Sequence, residues 1–273
     1  LPGIIKLGNS MNDLYNSFQK FFEIVIADTA ELLEKVYGIR YQVLCVEKRL
    51  PGFDPDQCPD MLEKDCYDHH SSHALLKYRP TGAYIGTVRL ILEDSFEPDK
   101  LLPVELYGQS DPNLCDIKSL PRKQTAEISR FVVVGQFDRR KGDERRKGER
   151  RKALSNTNIN KIISHERRGS DRRSALNIAL VLMAGVVRMS KKYGIRNWLS
   201  VMDPALNRLL SYDGLEFNPI GPPVNYHGLR RPYFVRVEEV LSRMYAQHHD
   251  AWEVVTDCGK YDPFISSDEK VLN

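Results

Sequence analysis

The sequence has no apolar run long enough to cross a membrane. Its 273 residues contain no stretch of about 18 or more consecutive apolar residues, the length that a membrane-spanning helix requires. The first residues, LPGIIK, do not follow the basic, apolar and small-residue order of a secretory signal. From the sequence we therefore expect a cytoplasmic protein without a transmembrane segment.

The sequence also lacks the usual cysteine, metal and phosphate-binding motifs. Its five cysteines are an odd number, and no two of them have the CxxC spacing, which indicates reduced thiols without a disulfide framework or a zinc site. His69, His70 and His73 lie close together, but no further ligand set accompanies them, so we predict no metal site. Neither GxGxxG nor a P-loop motif is present, which argues against a nucleotide-phosphate loop.

Positive charge is concentrated in one segment of the chain. Residues 138–173 hold 14 Lys/Arg and 6 Asp/Glu, a net charge of +8, whereas the whole chain carries only +3. The basic repeat RRKGDERRKGERRK at 139–152 cannot bury apolar surface, so we predict a mobile insertion over 136–173. It suits docking of an acidic protein, contact with an anionic membrane surface or a solvated linker. Because it lacks interleaved aromatic residues, we expect no nucleic-acid binding.

The periodicity of apolar residues predicts alternating strands and helices. Their order predicts an α/β (α+β) protein with a mixed sheet flanked by helices. We predict an N-terminal extension over 1–20, one domain over 21–247 and a loosely held tail over 248–273. Strands are predicted over 21–27, 73–78, 84–92, 126–135, 197–202, 215–219 and 232–237, and helices over 31–46, 175–193, 204–212 and 237–246.

Charged residues interrupt several apolar segments. The run EISRFVVV at 127–134 sets Glu127 and Arg130 at the mouth of a predicted strand. A core does not accept such charges unless they are paired or have a function. The pattern therefore favours chemistry on a small polar substrate. The other charges of this kind, in chain order, are Arg40, Asp65, Asp68 and Arg89.

Four short runs carry these charges in a recognisable order: RYQVL at 40–44, EKDCYD at 63–68, GTVRL at 86–90 and EISRF at 127–131. Together they resemble the pattern of the acyl-homoserine-lactone (autoinducer) synthases, which transfer an acyl chain from acyl carrier protein to the amine of S-adenosylmethionine. The run YGIRYQVLCVE at 37–47, with FFEIV at 21–25 before it, is more similar to acyltransferases associated with the bacterial PEP-CTERM/exosortase system. Those enzymes are similar to N-acyl amino acid synthases.

The resemblance implies a GNAT-like three-layer fold with a central, mixed, twisted sheet between helices. It also implies an N-acyltransferase that moves a fatty acyl group from an acyl carrier protein thioester to the amine of a small acceptor, such as an amino acid. No tightly bound cofactor is expected. Because the insertion replaces the glycine-rich pyrophosphate loop of the family, a carrier protein is favoured over coenzyme A as the donor. The basic segment 139–152 is the expected docking element for it.

Two positions depart from the family pattern. Autoinducer synthases usually have Phe four residues and Trp ten residues after the first arginine, where this chain has Leu44 and Leu50. The family places both aromatic residues in the acceptor pocket, so their absence argues against S-adenosylmethionine. A lactone synthase that uses S-adenosylmethionine is one alternative. A non-catalytic binding domain of GNAT shape is another.

Acyl transfer to an amine requires a neutral amine and a stabilised oxyanion. We predict Glu127 as the general base, acting directly or through a water molecule. An ion pair with Arg130 is the structural alternative for this carboxylate. From the family fold we expect the backbone amides of Phe131, Val132 and Val133 to stabilise the oxyanion.

The remaining charged residues are predicted to bind the acceptor. Asp65 and Asp68 suit its ammonium group, with anchoring of a loop as the alternative. Arg89 and Arg130 organise the acids or bind a substrate carboxylate, for which a guanidinium is well shaped. Arg40 is predicted to close the site by pairing with Asp68, or else to be solvated. For both Arg89 and Arg130 the structural alternative is an ion-pair network.

Overall fold

The computed structural model describes residues 13–135, 137 and 177–264, and its central element is a mixed sheet. The sheet order is β1-β2-β3-β4-β5-β8-β6, and β7 pairs with β8. All pairs are antiparallel except β4 with β5, which run parallel. The strands are β1 (Phe22–Ile26), β2 (Ser71–Tyr78), β3 (Ala83–Ile91), β4 (Thr125–Val133), β5 (Asn197–Met202), β6 (Asn218–Pro219), β7 (Val224–Asn225) and β8 (Leu229–Arg236).

Seven α-helices accompany the sheet in the part of the chain that the structure describes. The predicted helix over 31–46 begins after Thr29, whose hydroxyl accepts a hydrogen bond from the amide of Leu32 at 3.3 Å. This helix continues beyond Arg40 as a π-helix over Tyr41–Glu47. The α-helices are α1 (Asp13–Phe21), α2 (Ala30–Arg40), α3 (Pro103–Tyr107), α4 (Ile178–Tyr193), α5 (Pro204–Ser211), α6 (Val237–Gln247) and α7 (His249–Thr256).

Side-chain alternation along β2 separates two apolar layers. Ala74 and Leu76 join the main core together with residues of α4, whereas Leu75 packs among residues of α2. Since successive side chains of a strand point to opposite faces, α2 and α4 cover opposite sides of the sheet. Gly185 lets α4 approach closely, because a Cβ atom there would lie 2.6 Å from that of Ala74. The predicted three-layer GNAT-like fold is therefore confirmed.

The C-terminal prediction is wrong for the residues that the structure describes. We expected a loosely held tail from 248, but α7 packs against α4, α6 and α1. Trp252 is buried and donates a hydrogen bond to Asp262 at 3.1 Å. At the other end, α1 lies within the predicted N-terminal extension and buries Phe18. The apolar spacing of both short helices supplies core contacts, so neither segment is an appendage.

The predicted insertion lies almost wholly outside the described residues. Phe137 is described; it is buried and its ring lies 5.5 Å from that of Tyr78, so this position belongs to the core. The basic segment 139–152 is outside the described residues. Within the described ranges, no helix is long and apolar enough to cross a membrane.

Candidate active site

The parallel strands β4 and β5 separate in the middle of the sheet. They pair only over Thr125–Glu127 and Asn197–Leu199. Just beyond this ladder, the hydroxyl of Ser200 donates a hydrogen bond to the carbonyl oxygen of Ile128 at 3.0 Å. From there β4 follows β3 and β5 follows β8, which opens a gap between β4 and β5. We refer to this opening as the β4–β5 gap.

A bulge at Arg130 changes the direction of the side chains along β4. Ala126 and Ile128 face the main core, so Glu127 and Ser129 face the α2 side. The register with β3 shifts between Thr87 and Arg89, and Arg130 has φ of +49°, in the left-handed region. After the bulge the alternation is inverted, so Val133 joins the main core.

Beyond the bulge, the backbone amides of β4 point alternately to β3 and to the β4–β5 gap. The amide of Val134 donates to the carbonyl oxygen of Ile85 at 2.9 Å. In an antiparallel ladder, hydrogen-bonded pairs alternate with non-bonded pairs. The register therefore directs the amide of Val132 to β3 and that of Val133 away from β3. Of these two predicted oxyanion donors, the direction of the amide favours Val133 over Val132.

A cavity of about 550 Å³ passes through the β4–β5 gap. On the α2 side its wall is polar and includes Asp65, Glu127 and Arg130. On the α4 side the lining is apolar and belongs to the main core. The cavity therefore joins a charged chamber to an apolar one. The apolar residues are Met183, Met202, Leu206, Leu210 and Phe217.

Glu127 is buried on the polar side of the cavity. One carboxylate oxygen accepts a hydrogen bond from the backbone amide of Val104, near the start of α3, at 2.8 Å. Burial raises the pKa of Glu127 to about 8, against the opposing effects of the Val104 amide and the charge of Arg89. The alternative of an ion pair with Arg130 is not realised, because the guanidinium of Arg130 turns to other carboxylates. The side chain is thus a buried acid that can release its proton near neutral pH.

The other predicted charges and Glu63 form a compact network of three arginines and three carboxylates, which we call the arginine network. Arg40 binds Asp68 through both terminal nitrogens, at 2.6 and 3.1 Å. Arg89 spans two aspartates, with 2.5 and 2.9 Å to Asp65 and 2.9 Å to Asp68. Its Nε donates to the hydroxyl of Ser129 at 2.9 Å. The members of the arginine network are Arg40, Glu63, Asp65, Asp68, Arg89 and Arg130.

Ion pairing keeps the carboxylates of the network charged. Burial by itself would raise their pKa values, but the neighbouring guanidiniums reverse that effect. The pKa of Asp68 lies far below its usual range because of Arg40 and Arg89. Arg130 and Arg40 lower the pKa of Glu63, and Arg89 and Arg130 lower that of Asp65. Formal charges within the network therefore cancel.

A buried histidine lies against the arginine network. The Nε2 atom of His73 is 3.6 Å from Asp68, and neither ring nitrogen has a hydrogen-bond partner within the described residues. Burial, together with the charge of Arg40, lowers the pKa of His73 to about 4. The imidazole is therefore neutral at physiological pH and adds no charge to the network.

Eight of the nine predicted site residues divide into two layers, and the ninth, Val133, packs in the main core and is not among the residues that line the cavity. Six of them line the cavity: Asp65, Arg89, Glu127, Arg130, Phe131 and Val132. Arg40 and Asp68 form a second layer behind Asp65, where the predicted pair between them is present. Asp68 therefore faces the guanidiniums of Arg40 and Arg89, away from the cavity.

Several residues of the site were not predicted from the sequence. Glu63 joins Arg40 to Arg130, although only its position two residues before Asp65 could have suggested this. Phe53, Tyr67 and Tyr226 line the cavity and supply aromatic surface. Leu44 and Leu50, the two departures from the family pattern, line it as well. The aromatic residues of the cavity wall therefore stand at other positions than 44 and 50, where the family pattern has them.

Comparisons with known proteins find one family model and several solved structures that are similar to this chain. Residues 39–145 match the family model of the acetyltransferase (GNAT) domain. The solved structure of TofI in a ternary complex with an inhibitor and MTA is similar, with a TM-score of 0.50 and 16% identity over 85% of this chain and 96% of that chain. BjaI, a CoA-dependent acyl-homoserine lactone synthase, has a TM-score of 0.48 with 17% identity, over 87% of this chain and 99% of that chain.

The N-acyl amino acid synthase FeeM, from uncultured soil microbes, has a TM-score of 0.46 with 12% identity, over 82% of this chain and 96% of that chain. A sequence comparison with curated proteins gives no match. At 16% identity the similarity to TofI shows a common fold. The matched family model spans the whole arginine network and Glu127. The acetyltransferase (GNAT) match therefore applies to residues 39–145, and the fold of the described residues is GNAT-like.

Proposed function

We propose that this protein is an N-acyltransferase that moves a fatty acyl group from an acyl carrier protein thioester to the amine of a small acceptor. The observation that carries the proposal is Glu127, a buried carboxyl group with a raised pKa beside the β4–β5 gap. It lies where a charged chamber for an acceptor meets an apolar chamber for an acyl chain.

The chemistry of amine acylation requires a base of this kind. A protonated amine has no lone pair, so it must lose a proton before its nitrogen attacks the thioester carbonyl. A general base works best when its pKa lies near the working pH, and about 8 meets this condition. In the proposed step Glu127 takes the ammonium proton, and the freed nitrogen attacks the carbonyl to form the C–N bond. As the C–S bond breaks, the second proton that this nitrogen loses passes to the departing thiolate, which is released as the carrier thiol. The amide of Val133 is the proposed donor to the oxyanion.

The acyl chain is proposed to enter the apolar end of the cavity. Met183 of α4 and Leu206 and Leu210 of α5 contribute to its lining. Leu180, Leu182 and Val186 belong to the same helix, α4. These three are buried in the main core and do not belong to the lining of this cavity. Binding of an acyl chain in an apolar chamber is stabilised by about 0.8 kcal/mol for each methylene group that leaves water.

An amino acid is the proposed acceptor. Asp65 and Arg130 are the more exposed members of the arginine network that line the cavity, with 24% and 14% of their side chains accessible. They lie side by side, with 2.7 Å between Asp65 Oδ2 and a terminal nitrogen of Arg130. A carboxylate next to a guanidinium is complementary to the ammonium and carboxylate groups of an amino acid.

Acyl carrier protein is the proposed donor because of the basic segment 139–152. Carrier proteins are acidic, so a basic segment close in sequence to the end of β4 can steer them toward the cavity. A peripheral contact of this segment with an anionic membrane surface is compatible with the same charge.

A panel assay tests the proposed function. Purified full-length protein is offered fatty acyl carrier proteins and, separately, the matching coenzyme A thioesters, with pooled amino acids and S-adenosylmethionine. Mass spectrometry then identifies the products. An N-acyl amino acid formed only with the carrier protein agrees with the proposal. Formation of the product with the coenzyme A thioester alone contradicts the proposal that acyl carrier protein is the donor. Binding of acyl donor without any product would indicate a non-catalytic domain.

One observation favours the lactone synthase as a second candidate. Phe53, Tyr67 and Tyr226 bring aromatic faces to the cavity, and such faces attract cations such as a sulfonium group. The similar protein TofI binds MTA in its ternary complex. In the panel assay this candidate predicts an acyl-homoserine lactone together with methylthioadenosine.

Replacement of Glu127 tests the proposed base. We expect Glu127→Gln to lower kcat/KM by about 10²–10⁴-fold, since Gln keeps the shape of the side chain but cannot take a proton. Glu253→Gln is the matched control: Glu253 lies on α7, its pKa is also raised by burial, and it is outside the cavity lining. Near-normal turnover by Glu127→Gln would exclude Glu127 as the base.

A further inference from the structure

Two histidines and an aspartate from separate segments converge beside the arginine network. His69 and His70 end a 3₁₀ turn that begins at Asp68, and Asp94 follows β3. The Nε2 atom of His69 is 2.8 Å from Asp94 Oδ2. The Nδ1 atom of His70 is 3.2 Å from His69 Nε2 and 3.3 Å from the same carboxylate oxygen. Three potential ligand atoms thus form a small triangle.

The edges of this triangle suit a tetrahedral metal ion. With metal–ligand distances of about 2.0–2.1 Å, neighbouring ligands of a tetrahedral ion lie about 3.4 Å apart. Two edges of the triangle are close to this spacing, and the third needs to lengthen by about 0.5 Å. Imidazole nitrogen and carboxylate oxygen are also the ligands that Zn²⁺ and related ions accept.

The carboxylate of Asp94 is held for this role by its surroundings. Its Oδ1 atom accepts hydrogen bonds from the backbone amides of Phe96 and Glu97, at 3.0 and 3.4 Å, which leaves Oδ2 directed at the imidazoles. Such second contacts orient metal ligands in known sites. His69 has 53% of its side chain accessible, so an ion and a fourth ligand from solvent can reach the triangle.

We propose that His69, His70 and Asp94 bind a divalent transition-metal ion of the Zn²⁺ class. Bound there, the ion would join the turn that carries Asp68 to the end of β3, and so hold Asp68 in the arginine network. From the sequence we predicted no metal site, because no further ligand accompanied the histidines; the proposal replaces that prediction. Asp94 lies 25 residues beyond His69 and approaches it only because β2 and β3 form a hairpin.

A lysine ammonium group occupies part of this environment. Lys100 Nζ is 3.3 Å from Asp94 Oδ2 and 3.3 Å from the carbonyl oxygen of Cys66. Because it is a cation beside a proposed metal ligand, it competes with the ion for the carboxylate. Removal of the ammonium group should therefore strengthen metal binding, whereas removal of a metal ligand should weaken it. The two kinds of variant together test the proposal with effects of opposite sign.

The test is a titration of the full-length protein, treated with a chelator and dialysed, with Co²⁺ as a spectroscopic substitute for Zn²⁺. We expect one ion per chain with the visible absorption of tetrahedral nitrogen and oxygen ligation. His69→Ala should weaken binding at least about tenfold, and Lys100→Met should tighten it. The double variant His248→Ala/His249→Ala is the matched control, since it removes another adjacent histidine pair and should leave the affinity unchanged.

A thermal melt provides a readout that is independent of activity. Zn²⁺ should raise the melting temperature of the wild type and leave that of His69→Ala unchanged, because an ion stabilises only the state that binds it. Unchanged Co²⁺ affinity in His69→Ala would overturn the proposal. So would a thiolate charge-transfer band, which would assign the ion to cysteines.

Discussion

Glu127 and the three carboxylates of the arginine network lie on the same face of the sheet, and all four are largely withdrawn from water. Their pKa values nevertheless move in opposite directions. Asp68 contacts two guanidiniums and stays charged far into acid, whereas Glu127 receives a single backbone hydrogen bond and its pKa rises to about 8. The comparison teaches that burial sets the cost of a charge, while the neighbouring groups decide whether the charge is kept.

Because of this difference, the two kinds of carboxylate suit different roles in the site. A carboxylate that stays charged between arginines can hold a shape, but it has no affinity for a proton at neutral pH. Glu127 has that affinity because no guanidinium is paired with it. The arginine network therefore suits the positioning of an acceptor, and Glu127 suits proton transfer.

The largest expected change in stability comes from breaking the network. Asp68→Asn leaves Arg40 and Arg89 with one negative charge fewer, and we expect a loss of about 3–5 kcal/mol in the free energy of unfolding. Chemical denaturation measures it. Asp60→Asn, which alters an exposed acid paired with Lys64, is the control and should behave like the wild type.

A double variant sharpens this prediction. Arg40→Met in the Asp68→Asn background restores the balance of charge, so part of the lost stability should return. If Asp68→Asn alone were as stable as the wild type, the network would not depend on its pairing, and the contrast with Glu127 would be lost.

An effect of similar size and opposite sign is expected from Glu127→Gln. The folded-state pKa of Glu127 is raised, so folding holds a proton that the unfolded chain releases above its ordinary pKa of about 4.5. Wild-type stability is therefore reduced progressively as the pH rises from about 4.5 to about 8. Glu127→Gln lacks this penalty and should be more stable at pH 8 by on the order of 4 kcal/mol, because each pKa unit is worth about 1.4 kcal/mol.

Denaturation of both proteins at several pH values checks the sign. The advantage of Glu127→Gln should be absent near pH 4 and grow up to about pH 8. Asp68 behaves in the reverse sense: its depressed pKa stabilises the fold above pH 3.8, and this contribution is lost as the pH falls through the folded-state pKa. An advantage that grew toward acid would contradict the raised pKa of Glu127.

The smallest effect concerns the tuning of Glu127 by its neighbour. The charge of Glu105 contributes to the raised pKa of Glu127. Glu105→Gln should therefore shift the acid limb of the activity profile to lower pH by a few tenths of a unit, with little change in maximal kcat. Measurement of kcat/KM against pH reports this pKa in the free enzyme. A shift toward alkaline pH would show that another charge controls Glu127.

Local sequence patterns predicted much of the fold. The strands predicted over 73–78, 84–92 and 126–135 correspond to β2, β3 and β4. The bulge at Arg130 could not be predicted, because it depends on the register between β3 and β4. The burial of α7 was missed as well, since its acidic surroundings conceal an apolar face that only α4, α6 and α1 complete.

The candidate site was predictable in its residues and less so in its contacts. Charges in apolar segments marked Arg40, Asp65, Asp68, Arg89 and Glu127, since a buried charge requires compensation. The sequence did not tell which acid was paired with arginines and which was left without them. That distinction depends on distances of a few ångströms between residues far apart in the chain.

By itself, the sequence determined which side chains would be costly to bury and which strand would carry Glu127, because periodicity and residue type act locally. Only the tertiary structure decided that Glu63 and Asp65 share Arg130, that Glu127 contacts a backbone amide, and that Asp94 meets His69. The reason is physical: electrostatic interactions depend on separation in space, and the hairpin, the bulge and the β4–β5 gap set those separations.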